Sequence, residues 1–262
     1  KILNFDKTKG IIETEAGISI KEILQYIIPY GWFLKVTPGS KFITIGGMVA
    51  SDVHGKNHHK FGSFRHQIIE LKILNNNKKI LICNKKKNKD LFNYTIGGMG
   101  LTGIIYSCKF KLLKIKSNLM YQQKIKSKNI HETIINLKKS SKWTYNVAWI
   151  DTSAKGKNTG RSILFRAEHF KEKNLKRLDS TFLNNKRINF KNIFSNWIIN
   201  SFVINIMNKI YFLLSFNKKN LINIDEYFYQ LDKINNWNLI YGKKGFISYQ
   251  FVIPFKNSVN TI

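Results

Sequence analysis

Three histidines, a lysine and an asparagine crowd into six residues, His54-Gly55-Lys56-Asn57-His58-His59. A lysine so placed can hold an anionic group or a developing negative charge, and neighbouring amides and imidazoles can orient it. The i, i+4 spacing of His54 and His58 raises a metal site. Gly55 and Asn57 disfavour a helix there, and no Glu lies between the two histidines as in HExxH. No metal is therefore expected, and the plain alternative to a polar site is a solvated basic loop.

The same stretch carries glycines. Pro38–His59 (PGSKFITIGGMVASDVHGKNHH) holds four of the 16 glycines of the chain and one of its three prolines. Its string Thr44-Ile45-Gly46-Gly47-Met48 recurs as Thr95-Ile96-Gly97-Gly98-Met99. Paired glycines let backbone approach a flat or bulky ligand, and exposed N–H groups can bond phosphate or ring heteroatoms. Either loop alone reads equally well as a tight turn; with the histidine cluster the pair points to a ligand site. The run Gly98-Met99-Gly100-Leu101-Thr102-Gly103 matches GxGxxG, but IIYSCKFKLL comes after it, a strand and not a helix. No acidic residue stands about 20 positions on, so a dinucleotide-binding Rossmann unit is excluded.

These loops need elements to hold them. Residues 10–16 read as a strand, and 19–30 as a helix with Ile20, Ile23, Leu24 and Ile27 on one face and Ser19 as N-cap. Gly31 ends that helix before a short strand over 32–36. Strand 67–74, turn 75–78 and strand 79–83 read as a hairpin. Next come a helical turn over 89–94, the second glycine loop over 95–103 and a long strand over 104–113. Beyond residue 114 glycine becomes sparse. Strands are predicted over 120–126, 143–151 and 161–166 (the last two paired), a helix over 131–139, a loop over 152–160 and a closing strand over 250–254. The change of character places a domain boundary near 115–118, giving 1–116 and 117–262.

With 262 residues, 43% hydrophobic and 13% aromatic, the chain can build a core, and global disorder is excluded. The net charge is +29. Lysine is scattered among abundant Asn and Ile, with no basic stripe interleaved with aromatics, so no nucleic-acid partner is expected. Cys83 and Cys108 have neither metal nor disulfide spacing. The apolar run over 190–216 raises a membrane span over 197–216, but Asn200, Asn205, Asn208 and Lys209 interrupt it. A cap over a substrate pocket, or a segment lying on lipid, is expected instead. No signal peptide is visible, both ends read as cut, and a cytoplasmic or peripheral inner-membrane location is expected.

PGSKFITIGGMVASDVHGKNHHKFGSF, DLFNYTIGGMGLTGII and YQFVIP together resemble the decaprenylphosphoryl-β-D-ribose 2′-oxidase family, vanillyl-alcohol-oxidase-type flavoproteins related to the aldonolactone oxidases. The resemblance is dense over residues 10–110 and looser to 254. It implies an α+β fold: part of a PCMH-type FAD-binding domain, then part of a substrate domain with an antiparallel sheet and helices. The implied cofactor is FAD. By the same likeness Gly39, Thr44, Ile45, Gly46, Gly47, Ser51, Asp52, Val53, His54 and Ile105 contact the flavin. Lys56, Asn57, His58, Trp149, Tyr229 and Gln250 face the substrate, with Lys56 positioning it. The family's cysteine in the first loop is Ser51 here. Its RGxGRSYGD-like upstream loop and its downstream catalytic lysine have no counterpart in this sequence, so the base is expected outside the chain. The implied activity is oxidation of a sugar CH–OH, the 2′-hydroxyl of a polyprenyl-phospho-ribose, as half of an epimerisation completed by a partner reductase. An aldonolactone oxidase is the alternative. A non-catalytic basic module that binds anionic lipid or nucleic acid is the alternative from another class.

Overall fold

The computed structural model describes residues 1–171, 178–184, 187–189, 200–241 and 245–254. The chain divides into two compact units. The first comprises Lys1–Met120, His169–Asn185 and Ile222–Asp232; the second comprises Tyr121–Glu168, Lys186–Leu221 and Lys233–Ile262.

The first unit is built on an antiparallel sheet in the order β1 (Ile2–Asp6), β2 (Ile11–Glu15), β6 (Ile104–Lys114), β4 (Ile68–Leu74), β5 (Ile80–Asn84). The short β3 (Trp32–Leu34) also pairs with β6. In register, Ile12 faces Phe110 and Leu71 faces Cys108, and all four are fully buried. The inward residues of alternating strands thus form one apolar layer. Against it lies α1 (Ile20–Ile27), whose Ile20, Ile23, Leu24 and Ile27 are buried as their helical spacing predicts. Ser19 and Glu22 close a capping box at its start. Gly31 ends the 3₁₀ turn that continues α1, at φ +77°.

Three short helices position the loops: α2 (Ile45–Ala50), α3 (His58–Phe61) and α4 (Lys89–Thr95). The sequence predicts an irregular loop where α2 stands, because two adjacent glycines weaken a helix by about 1 kcal/mol each. Thr44 overcomes part of this as N-cap, its Oγ1 accepting from Gly47 N at 3.2 Å.

The second unit holds a sheet ordered β11 (Lys218–Asn223), β7 (Leu119–Ser127), β9 (Ser162–His169), β8 (Tyr145–Ile150), with α5 (Ile130–Lys139) following β7. The expected pairing of β8 with β9 is antiparallel, Trp149 opposite Ile163. A two-residue parallel pair joins β10 (Ile188–Asn189) to β12 (Ile234–Asn235). α6 spans Ser201–Leu214, and α7 spans Ile224–Phe228 in the segment that returns to the first unit. The strand expected over 250–254 is absent: these residues carry no strand assignment, and Phe251 and Val252 are exposed. Alternation of apolar residues is satisfied only when a neighbouring strand accepts the pairing. Residues 190–199 of the apolar run, and with them 197–199 of the candidate span, lie outside the described residues. Among the described residues no helix is long and apolar enough to cross a membrane.

Candidate functional site

The first copy of the glycine string becomes a helix with two unlike faces. Ile45, Met48 and Val49 are buried, Gly46 packs so close to Ala16 that a Cβ would stand 3.1 Å from the Ala16 Cβ, and Gly47, Ala50 and Ser51 are half-buried to exposed. The accessible residues are Gly47, Ala50 and Ser51, so only small side chains stand between a planar group and the backbone. Its leading N–H groups are already used. Ile45 N donates to Ile18 O at 3.0 Å and Gly46 N to Ala16 O at 2.8 Å. A group lying here therefore meets a flat, internally bonded surface, and the donors expected from Ile45, Gly46 and Gly47 are spent on the fold. Gly39, exposed, opens the approach, with no atom within 4 Å of where a Cβ would stand.

The second copy does a different task. Thr95 ends α4, Gly97 takes φ +81° and Met99 φ +52°. Gly97 N donates to Val49 O at 3.0 Å and Met99 N to Ala50 O at 2.9 Å, so this loop caps the carboxyl end of α2. Asp52, itself at φ +41°, joins the two. Its carboxylate accepts from Arg65 N at 2.9 Å and Arg65 Nε at 3.2 Å, and the same guanidinium donates to the carbonyls of Asn93 and Ile96. Asp52 and Val53, whose N–H donates to Met48 O, thus brace the flat face from its edge. Ile105, half-buried on β6, belongs to the same unit.

The polar cluster continues from α2. Gly55 passes so close to Thr37 that a Cβ would stand 2.7 Å from its carbonyl oxygen. Asn57 is buried, with Nδ2 donating to Lys35 O at 2.7 Å, and its Oδ1 has no hydrogen-bond partner among the described residues. An unpaired buried acceptor is costly unless a ligand or water completes it. His54 and His58 meet edge to face with centroids 5.8 Å apart, and His58 and His59 at 5.9 Å. Burial lowers the His58 pKa and favours its neutral form.

Lys56 is held by a segment far along the chain. Its Nζ donates to the Tyr227 carbonyl and stands 4.4 Å from the centroid of the Tyr227 ring and 5.9 Å from that of Phe228. Burial pushes its pKa down to about 8, so ammonium and free amine interconvert near neutral pH. His169 lies 6.4 Å from the Phe228 ring and 5.3 Å from the Phe33 ring. Burial holds His169 down at about 3, and it stays neutral.

The segment Ile222–Asp232 clamps the approach to α2. Lys41 and Asp225 form an ion pair that is nearly inaccessible on both sides. Asp232 accepts from Ser40 Oγ at 2.8 Å and from Lys41 N at 2.7 Å. Tyr229, expected at a pocket wall, is fully buried with its hydroxyl 2.7 Å from Thr37 Oγ1, so it braces the stretch from behind. Burial raises its phenol pKa and keeps the proton on. Its neighbours Tyr227 and Phe228 are the residues that touch Lys56, and sequence reasoning misses them. The signal for them is the aromatic run Tyr227-Phe228-Tyr229 between acids in a Lys- and Asn-rich region. Trp149 and Gln250 lie in the second unit. Trp149 sits on β8 with Tyr211 against it at 4.9 Å, and Gln250 is exposed.

The family model described as an FAD binding domain matches residues 1–84. Those residues contain β1 to β5, α2 and the polar cluster. Among curated proteins, the chain is similar to decaprenylphosphoryl-beta-D-ribose oxidase of Mycolicibacterium smegmatis, 28% identical across 97% of this chain and 57% of that protein. It is 29% identical to an uncharacterized protein in the mprA 5′ region of Streptomyces coelicolor, across 58% of this chain and 41% of the other. It is 26% identical to mouse L-gulonolactone oxidase, across 40% and 24% respectively. The chain spans about half the length of the first two. Residues 1–84 are FAD-binding domain sequence, and the α+β architecture with antiparallel sheets fits it.

Proposed function

We propose that the whole protein is an FAD-dependent oxidoreductase that oxidises a sugar CH–OH, the 2′-hydroxyl of a polyprenyl-phospho-ribose. The observation that carries this reading is the small-residue face Gly47, Ala50 and Ser51, followed along the chain by Lys56, within sequence that matches an FAD-binding domain. The 28% identical relative along 97% of the chain supports the substrate class.

The residues present fit a flavin. Gly39, Gly47, Ser51 and His54 offer it an open approach and Ile105 an apolar edge, and the buried Asn57 Oδ1 beside them is an acceptor without a partner among the described residues. When bound, FAD supplies the electron chemistry by accepting a hydride from the carbon that bears the hydroxyl. The chain's own residues orient the substrate. Lys56, in its ammonium form, holds an electronegative group of the sugar or its phosphate, while Tyr227 and Phe228 fix where that charge stands. Lys56 positions the substrate and is not the base that takes the hydroxyl proton. A partner reductase would return hydride to the other face and complete an epimerisation. Peripheral contact with a membrane would give access to a lipid-linked sugar.

The test uses full-length protein. It should be yellow or take up added FAD, and its flavin should be reduced anaerobically by the polyprenyl-phospho-ribose. Lys56→Ala should slow that reduction about 100-fold, the upper range for losing a charged contact of about 3 kcal/mol. Deprotonation removes the ammonium, so wild-type substrate affinity should fall as pH rises through about 8, and Lys56→Arg should remove that limb. Unchanged single-turnover reduction by Lys56→Ala rejects the positioning role, and a colourless protein that refuses FAD rejects the enzyme. An aldonolactone substrate is the second reading, favoured by the match to mouse L-gulonolactone oxidase. Flavin reduction by an aldonolactone and not by the phospho-ribose would select it.

A further inference from the structure

We infer that α6 is a docking surface for an anionic lipid membrane. The helix presents two faces. One rests on its own unit: Asn208 Nδ2 donates to Asp151 Oδ1 at 3.0 Å and to Ser153 Oγ at 3.3 Å, and Tyr211 lies edge-on to Trp149. The Phe212 ring has Lys126 Nζ at 4.4 Å and the Arg161 guanidinium at 4.9 Å from its centroid. The opposite face is apolar and open. Phe202, Ile206, Ile210, Leu213, Leu214 and Met207 occupy one arc of a helical wheel, and all are exposed, Phe202 at 73% and Leu214 at 70%. No residue of this 14-residue helix is buried.

Charge decides the occupant. Lys209 stands at the edge of the apolar arc, and exposed Lys218 and Lys219 open β11 four and five residues after its end. Exposed Lys155 and Lys157 belong to the loop that carries Ser153, on which Asn208 rests. A second copy would bring the same positive charge to the contact, in a chain of net +29. An anionic bilayer surface attracts the lysines and receives the apolar arc below its headgroups. At 1.5 Å per residue the helix is about 21 Å long, short of a core about 30 Å thick, so it lies in the interface plane. The inference deepens the reading of a polyprenyl-linked substrate, which a membrane would present, but it rests on residues of the second unit alone.

Full-length protein is floated with phosphatidylcholine vesicles, with and without phosphatidylglycerol, at low and high salt. It should float only with phosphatidylglycerol, and high salt should release it. Phe202→Ser with Leu214→Ser, and separately Lys218→Glu with Lys219→Glu, should each weaken binding about tenfold or more, with unchanged flavin content and melting temperature. Should a double variant fail to fold, Met207→Cys carrying an environment-sensitive dye gives the second measurement. Its emission should shift to the blue on addition of anionic vesicles, with dye-treated wild type as the background; Cys83 and Cys108 of this chain are buried. Three results overturn the inference: no flotation at low salt, an unmoved dye, or self-association of the wild type that the apolar variant abolishes. A colourless protein that still floats removes only the flavoenzyme reading; a yellow protein that does not float removes only this one.

Discussion

The five residues Thr-Ile-Gly-Gly-Met occur twice and do opposite things. At Thr44–Met48 they begin a helix; at Thr95–Met99 they end one. The difference begins with the threonine. Thr44 is extended (φ −82°, ψ 157°) and turns its hydroxyl to Gly47 N, whereas Thr95 is helical and turns its hydroxyl back to Leu91 O at 2.7 Å. The glycines then diverge. The first pair stays in the opening turn of a helix, its N–H groups bonded to Ala16 O and Thr44 Oγ1, whereas in the second Gly97 turns to positive φ and the loop seals the end of that helix. One local sequence thus supplies both a surface and its stopper, and the choice is made by neighbours. Ala16 and Ile18 receive the first copy, and the end of α2 receives the second.

The largest way to break this contrast is to remove the brace that only the first copy has. Asp225→Ala leaves Lys41 buried without its counter-charge, and unfolding in denaturant should show a loss of about 3–5 kcal/mol. Combining Lys41→Met with Asp225→Leu should restore most of it, because the pair itself contributes little net stability. An unmoved midpoint for Asp225→Ala would remove the brace from the account.

The next test places the same methyl in each copy. Gly98→Ala puts a Cβ 2.1 Å from Tyr94 O and should cost about 2 kcal/mol or more. At Gly47 the nearest atom to that methyl is Thr44 Oγ1 at 3.4 Å, so Gly47→Ala should change stability by less than about 1 kcal/mol while weakening FAD binding. Thermal melting and flavin titration measure both, and equal stability losses would dissolve the contrast. The smallest effect is at the cap. Thr44→Ala should cost about 1 kcal/mol and Thr44→Ser almost nothing, again by melting.

How much of the molecule is legible in its sequence depends on the range of the forces involved. The apolar spacing of α1, its Ser19 cap and the alternation of β4, β5 and β6 are local, and each element lies where its pattern puts it. The helix at Ile45–Ala50 is hidden because glycine propensity argues against it and only Thr44 and the carbonyls of Ala16 and Ile18 argue for it. QFVIP has the composition of a strand but lacks strand pairing in the structure, which composition alone does not report. At the site, the glycine wall and Lys56 are readable from residue types. The clamp from Asp225, Tyr229 and Asp232 is not, because its partners at Thr37, Ser40 and Lys41 are 184 to 192 residues away and obey no periodicity.

That separation also sets a schedule for biosynthesis. Lys41 leaves the ribosome well ahead of Asp225, and at 5–20 residues per second the wait is about 10–40 s. During it the nascent lysine must stay hydrated, since its burial has no compensation until the acid arrives. The approach to the flavin wall therefore closes late, and a chain stopped before residue 222 would carry the glycine face without its final lock.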